Sequence, residues 1–397
     1  MKKIALMTLV VMLAIFAFFY VQLNKLESAV SAKLAQYETV FQHFSIGFFP
    51  QPYVSFEGVK HNQISIEKLK GKFNFSALIS GNLQLTQLDI QHIRFSDNAL
   101  NSADMHIHFS DFNLDNFQPD RVLFNGPQSL MLEWDKPLYG DLKRFHFRFN
   151  KGEISRFTEN DFAVVFEDAE LNQQPLGTLR AEVDLSKYTK YVIADIISDC
   201  DFVCIAHLDY ASYPDQSAVS FRGKNYPIER LLALFNFPNT LTGNTDFDIT
   251  AEFVQSQIKA GKFYFSAHEG ELSGVNLLAL VGQYLPINWN EAELKQKDKI
   301  KTPYEKLVTS FTLNESQLKI DRITLKTSTL LGQGSGQVDL NAMQCDIHLN
   351  LRLANEKYAD LSLPIHFFDN CYSPRYELQI NKDFRKKIKE LIKLKLK

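Results

Sequence analysis

Little in this sequence serves chemistry on a small molecule or a nucleic acid. The formal net charge is only −3, with 43 Lys and Arg against 46 Asp and Glu, a balance that gives a polyanion no basic surface. There are four cysteines, and no pair of Cys or His sits near them at zinc-ligand spacing. No serine elbow and no paired His-Asp arrangement stands out. The one glycine cluster, Gly332-Gln-Gly-Ser-Gly336, stands between strands and opens no helix, so it fails the dinucleotide fingerprint and reads as a turn. Glu167, Asp168 and Glu170 read as a solvated acidic patch at a strand end. His106 and His108 project to one side, but with Met105, Ile107 and Phe109 directed inward they read as solvent-facing and not as metal ligands. No enzyme, no cofactor and no nucleic-acid partner is expected.

What the chain does hold is phenylalanine, 33 residues of it, laid out with a period of two. The stretch RFHFRFN at 144–150 is the densest case. In a strand, Phe145, Phe147 and Phe149 share one face, and Arg144, His146 and Arg148 share the other. That geometry also rules out base stacking, which needs rings and arginines to reach the same nucleic-acid strand. Similar alternation recurs in KFNF (72–75), MHIHF (105–109), KFYF (262–265) and DIHLNLRL (346–353). These runs are separated by Gly, Asn, Asp or Ser turns with little helix between, so neighbouring strands are expected to pair antiparallel. About 330 residues at roughly 13 per strand and turn give on the order of 25 strands, a ribbon of roughly 120 Å. Two helical interruptions are expected, at 227–235 and at 275–285 before Pro286, with strands resuming at about 307.

The ends differ from this body. Residues 4–24 carry no charge, and at about 1.5 Å rise per residue they cross a hydrocarbon core of roughly 30 Å. Lys2 and Lys3 place the N-terminus on the cytoplasmic side. A cleaved signal peptide is the other reading, but Val30-Ser31-Ala32, suited to a peptidase, lies beyond Lys25 and Glu27. In both readings nearly all of the chain after residue 25 lies outside the cytoplasm. Residues 382–397 hold eight Lys and Arg against two Asp and Glu, leaving −9 on the remainder. Phe384, Ile388, Leu391 and Ile392 share one face there, suited to a membrane surface or a partner groove; a solvated basic tail is the alternative. Cys345 and Cys371 fall in neighbouring strands and are placed to bridge, whereas Cys200 and Cys204 would need a turn between them. Four buried or free thiols is the other reading.

The segment RLLALFNFPNTLTGNTDFDITAEF, then HEGELSGVNLLALVGQYLP, then LVTSFTLNESQLKIDRITLKTSTLLGQGSGQVDL, resembles the C-terminal region of the AsmA-like family. The matching positions include Gly243, Gly270, Gly274, Phe311, Gly332, Gly334, Gly336, Asp339 and Leu340, with Pro364 and Pro374 in the closing strands; Tyr304 stands where a phenylalanine is common. FFPQPYVSFEGV and SALISGNLQLTQLDI resemble that family's first strands. The resemblance implies an inner-membrane-anchored periplasmic protein of Gram-negative bacteria, with an elongated, curved antiparallel sheet whose apolar groove passes phospholipid between the inner and outer membranes. On that reading the chain divides into a cytoplasmic tail (1–3), an anchor (4–24), a juxtamembrane amphipathic helix (25–45), an N-terminal β-groove region (46–225), a C-terminal β region with two short helices (226–380) and a basic amphipathic helix (381–397). The expected groove-lining residues are Phe73, Phe75, Phe145, Phe147, Phe149, Phe263, Phe265, Leu349 and Leu351. A closed sandwich core, an assembly factor for outer-membrane proteins and a structural tether with a partner at its C-terminal end are the rival readings.

Overall fold

A computed structural model of the chain describes residues 32, 39–80, 84–95, 100–110, 118–133, 144–199, 203–255, 257–284, 300–354, 361–380, 382, 385 and 386. The expected anchor at 4–24 lies outside these residues, as do Phe384, Ile388, Leu391 and Ile392. No helix among the described residues is long and apolar enough to cross a membrane.

Among the described residues the protein is mainly β, with 20 strands in a single sheet and few helices. By contact density the chain separates into two units: Met1–Met131 with Arg148–Glu167, and Leu132–Phe147 with Asp168–Lys397. The first unit opens with β1 (His43–Gly47), β2 (Tyr53–His61), β3 (Ile64–Phe73), β4 (Leu85–Phe95), β5 (Leu100–His108) and β6 (Arg121–Glu133), each antiparallel to the next. Strands β7 (Arg144–Arg156) and β8 (Asp161–Leu171) carry the chain through both units.

The second unit holds β9 (Gln174–Asp184), β10 (Lys190–Asp199), β11 (Val203–Ser212), β12 (Gln216–Pro227), β13 (Asn244–Val254) and β14 (Gln257–Ser273). It continues with β15 (Lys301–Asn314), β16 (Gln317–Lys326), β17 (Leu330–Asp339), β18 (Gln344–Leu353), β19 (Ser362–Asn370) and β20 (Arg375–Leu378). Every strand from β9 to β19 pairs antiparallel with its successor. A disulfide joins Cys345 to Cys371, tying the start of β18 to the residue after β19. Cys204 is disulfide-bonded as well, on β11 opposite Ser198 of β10.

Among the described residues three short helices interrupt the strands: α1 (Phe75–Ile79), α2 (Ile228–Leu234) and α3 (Leu277–Gly282). The two expected helices are present, each shorter than its apolar spacing indicated. Asn276 starts α3 by accepting the Ala279 N–H at 2.8 Å, the usual work of an N-cap side chain. After it β15 resumes at Lys301 and not at 307, because Thr302 is drawn inward: its hydroxyl donates to the Val275 carbonyl at 2.7 Å and accepts the Leu277 N–H at 2.9 Å.

Three further expectations are corrected. The helix expected over 25–45 does not reach that far. Val40 exchanges two backbone hydrogen bonds with Lys60, and His43–Gly47 is strand β1. Packing wins over helical spacing here, since Phe41 and Phe44 bring their rings within 5.4 and 5.0 Å of Phe56. Gly332, Gly334 and Gly336 form no turn but lie inside β17. A Cβ at Gly334 would fall on the His348 carbonyl oxygen, one at Gly336 on the Asp346 carbonyl oxygen, and one at Gly332 3.0 Å from Leu351 Cδ2. These glycines admit a close approach of β18. Finally, Phe75 is not on a strand with Phe73. Asn74 ends β3 by accepting hydrogen bonds from the Ser76 N–H (3.0 Å) and hydroxyl (2.7 Å), which starts α1 and leaves Phe75 57% exposed.

Candidate functional site

In an antiparallel ladder, directly opposed residues point the same way, and alternate residues point to opposite sides. In the second unit one transverse row therefore reads Ala181, Ala194, Leu208, Phe221, Ile249, Phe263, Phe311, Ile320, Gly336, Ile347, Phe367 and Tyr376. On one side of it runs Leu179, Ile196, Ala206, Gly223, Phe247, Phe265, Thr309, Ile323, Gly334, Leu349, Ile365 and Leu378. On the other side run Val183, Val192, Tyr210, Val219, Ala251, Gly261, Leu313, Leu318, Val338 and Cys345. No charged residue enters the first two rows, and the third meets one only at its end, where Cys345 pairs with Asp369 of β19. The reverse face is polar, as in the row Glu182, Ile193, Asp209, Ser220, Thr250, Lys262, Thr312, Lys319, Gln337, Asp346, Phe368 and Arg375.

One end of this apolar face is sealed by the chain itself. Ala267, Leu325, Leu349, Leu351, Leu363 and Ile365 share a core with Ile228 of α2, with Leu277, Leu280 and Val281 of α3, and with Tyr304. Burying each large aliphatic side chain there stabilises the fold by roughly 1.5–3 kcal/mol. Away from the helices the face is covered less completely. Ile249, Phe263, Phe265, Phe311 and Ile347 remain half-buried, whereas Phe247, Leu313 and Ile320 of the same rows are buried, and among the described residues no second sheet lies over them.

The expected lining residues therefore separate. Phe263 and Phe265 lie in adjacent rows on the half-buried part of the face. Leu349 (8% exposed) and Leu351 (0%) point to that same side but are enclosed in the helix-capped core. Phe145 is buried, its ring edge-on to Phe235 at 6.5 Å, and Phe147 is half-buried. Phe149 is buried in the first unit, 5.5 Å from Phe124 and 4.2 Å from Phe166.

The first unit has an apolar face of its own. Its rows read Phe44, Phe56, Leu69, Ile90, Met105, Phe124 and Ile46, Val54, Gly71, Leu88, Ile107, Val122. Phe73 packs against the buried core of Leu85, Ile90, Ile107 and Phe109. On the reverse face His106 lies 2.8 Å and Lys72 2.9 Å from Asp89. Burial alone pushes the Asp89 carboxyl up, but hydrogen bonds from His106, Lys72 and Gln87 hold it below the usual carboxylate range. His106 thus serves an ion pair on the polar side.

No family model and no solved structure matches this chain. An "Uncharacterized protein" of Haemophilus influenzae (strain ATCC 51907 / DSM 11121 / KW20 / Rd) is similar to it, 40% identical over 396 residues and covering 100% of both chains. The chain belongs to that protein's family. The match spans both units, so the family is defined by the whole succession of strands and not by one fragment.

Two polar-face features of this family member escape a reading of the sequence. His207 lies 2.8 Å from Asp195 and 3.0 Å from Asp209, which also pairs with Arg222 at 2.7 Å. The hydrogen bond with Asp195, chiefly, raises the His207 pKa, with burial opposing and Asp209 assisting. The raised value means that the stabilisation is fully present below the unfolded-state pKa of about 6.5 and is lost as pH rises through the folded-state value. His207→Gln is accordingly expected to destabilise at about pH 5, with the gap from wild type shrinking by about pH 9 in urea-unfolding midpoints. The side chain is 36% exposed, so the effect stays below about 1 kcal/mol. The second feature is a convergence of Asp346, His348 and His366. Period two places Asp346 and His348 together, but His366 arrives through the β18–β19 register, which no local pattern encodes.

Proposed function

We propose that this chain is a member of the AsmA-like family, anchored in the inner membrane by residues 4–24, with its sheet in the periplasm. Its apolar face takes phospholipid acyl chains and moves them between the inner and outer membranes. The observation that carries this reading is the set of three uncharged rows, two across twelve strands and one across ten, half-buried at Ile249, Phe263, Phe265, Phe311 and Ile347. Each acyl methylene withdrawn from water onto such a face gains about 0.8 kcal/mol. Thr309 supports the reading further: its hydroxyl lies in a flanking row, buried and without a hydrogen-bond partner, and an ester oxygen is one group able to take it. The Cys345–Cys371 disulfide suits an oxidising compartment.

The test is transfer of a fluorescent phospholipid between donor and acceptor vesicles, with the full chain reconstituted in the donor membrane. The reading expects transfer to rise in proportion to protein added. A rate equal to that of protein-free vesicles would contradict it.

A further inference from the structure

The polar face of the second unit carries a cluster that an acyl chain has no use for. Asp346 and His348 stand two apart on β18, His366 pairs directly opposite His348 on β19, and Glu377 pairs opposite His366 on β20. His366 Nε2 lies 2.7 Å and His348 Nε2 3.4 Å from the same oxygen, Asp346 Oδ1. The two imidazole rings stack, with centroids 4.3 Å apart and planes 7° from parallel. The other carboxylate oxygen of Asp346 accepts from Gln337 Nε2 at 3.4 Å. On its far side His366 Nδ1 lies 3.2 Å from Glu377 Oε1.

We propose that Asp346, His348 and His366 form a site for a divalent transition-metal ion, zinc foremost, on the face of the sheet opposite the apolar rows. Tetrahedral zinc with bonds of about 2.0–2.2 Å sets its ligand atoms about 3.3 Å apart. The 3.4 Å pair already stands at that separation. The 2.7 Å pair opens by about half an ångström when an ion takes the place of the shared proton. Two imidazoles and one carboxylate favour zinc and its neighbours over calcium or magnesium, which take oxygen ligands. Glu377 is the outer partner: by accepting the His366 Nδ1–H it turns the in-plane Nε2 lone pair toward Asp346, the arrangement that orients metal-binding histidines. The exposed His348 ring turns out of the stack to bring its own lone pair to the same ion. Three protein donors leave the fourth position to water or to an outside ligand. An ion here clips β18 to β19 close to the Cys345–Cys371 bridge. The competing occupant is a proton, with His366 as an imidazolium between two carboxylates.

The experiment uses the full chain in detergent, purified without a histidine tag, stripped by chelator and titrated with Zn²⁺ and, separately, with Co²⁺. The site is expected to take one Zn²⁺ per chain and to give Co²⁺ the visible bands of tetrahedral coordination. Glu377→Gln, which removes no ligand, lowers the affinity about 10–100-fold, and His348→Ala lowers it further. His348 is exposed, so unfolding of the stripped His348→Ala protein should match that of stripped wild type, which separates lost binding from lost folding. Absence of uptake, octahedral Co²⁺ spectra, or uptake unchanged in both variants would overturn the assignment and leave the proton as the occupant. Lipid transfer in the stripped protein is a separate readout, so failure here leaves the lipid reading standing.

Discussion

Gly270→Ala is expected to cost the second unit about 3–5 kcal/mol, a large share of a typical 5–15 kcal/mol stability. A Cβ at this position would fall on the Thr242 carbonyl oxygen and 2.6 Å from the Tyr304 hydroxyl. The obstruction is backbone, held from several sides. Tyr304 donates to the Thr242 oxygen at 2.6 Å, the Thr242 N–H donates to the Glu271 carbonyl at 3.1 Å, and the Ser273 N–H donates to the Thr240 carbonyl at 2.8 Å. Burial, aided by the Glu229 carboxylate, pushes the Tyr304 phenol up to about 12, so the hydroxyl stays a donor throughout the accessible pH range. Overpacking alone costs about 1–3 kcal/mol, and displacing the segment also strands a buried phenol, for about 1–3 kcal/mol more. Tyr304→Phe, which removes the hydrogen bond without the clash, is expected to cost only about 1–2 kcal/mol. Urea-unfolding midpoints of the two variants measure the difference directly.

Phe311→Asp is expected to reduce phospholipid transfer at least about tenfold, equivalent to about 1.4 kcal/mol of lost binding, with little change in folding. Phe311 stands in the central row opposite Phe263 and Ile320, its ring 6.0 Å from that of Phe265. While the face is wet, a carboxylate at this half-buried position keeps much of its hydration. Under an acyl chain it loses that hydration and gains no partner, a cost of several kcal/mol. Tyr264→Asp places the same charge one residue from Phe263 on the reverse face, where Tyr264 is 45% exposed, and should leave transfer unchanged. Phe311→Leu keeps the apolar surface and should retain most of the activity.

Much of this architecture was legible because a single chemical rule, alternation, runs through most of the chain. Phe263 and Phe265 were placed on one apolar face by KFYF alone, and His106 was placed on the polar face by MHIHF. Alternation does not say which part of a face the chain covers for itself. Leu349 and Leu351 alternate as regularly as Phe263 and Phe265, yet α2 and α3 fold over their end of the sheet. Nor does alternation within one strand fix its register against the next, so the convergence of His366 on Asp346 and His348 across β18 and β19 could not be read. Glycine misled in β17, where it marks close strands and not a turn. Asn74 misled in KFNF, where a side-chain cap cuts the period after Phe73 and sends Phe75 into α1.

The central claim, that lipid covers one face of the sheet and not the other, is tested most directly by a photo-crosslinking amino acid placed in turn at Phe263, Tyr264 and Phe265 in cells labelled with radioactive phosphate. Labelled lipid adducts are expected at 263 and 265 and none at 264, a period-two pattern that diffuse membrane contact does not produce. Adducts of equal yield at all three positions, or polypeptide in place of lipid at 263 and 265, would contradict it.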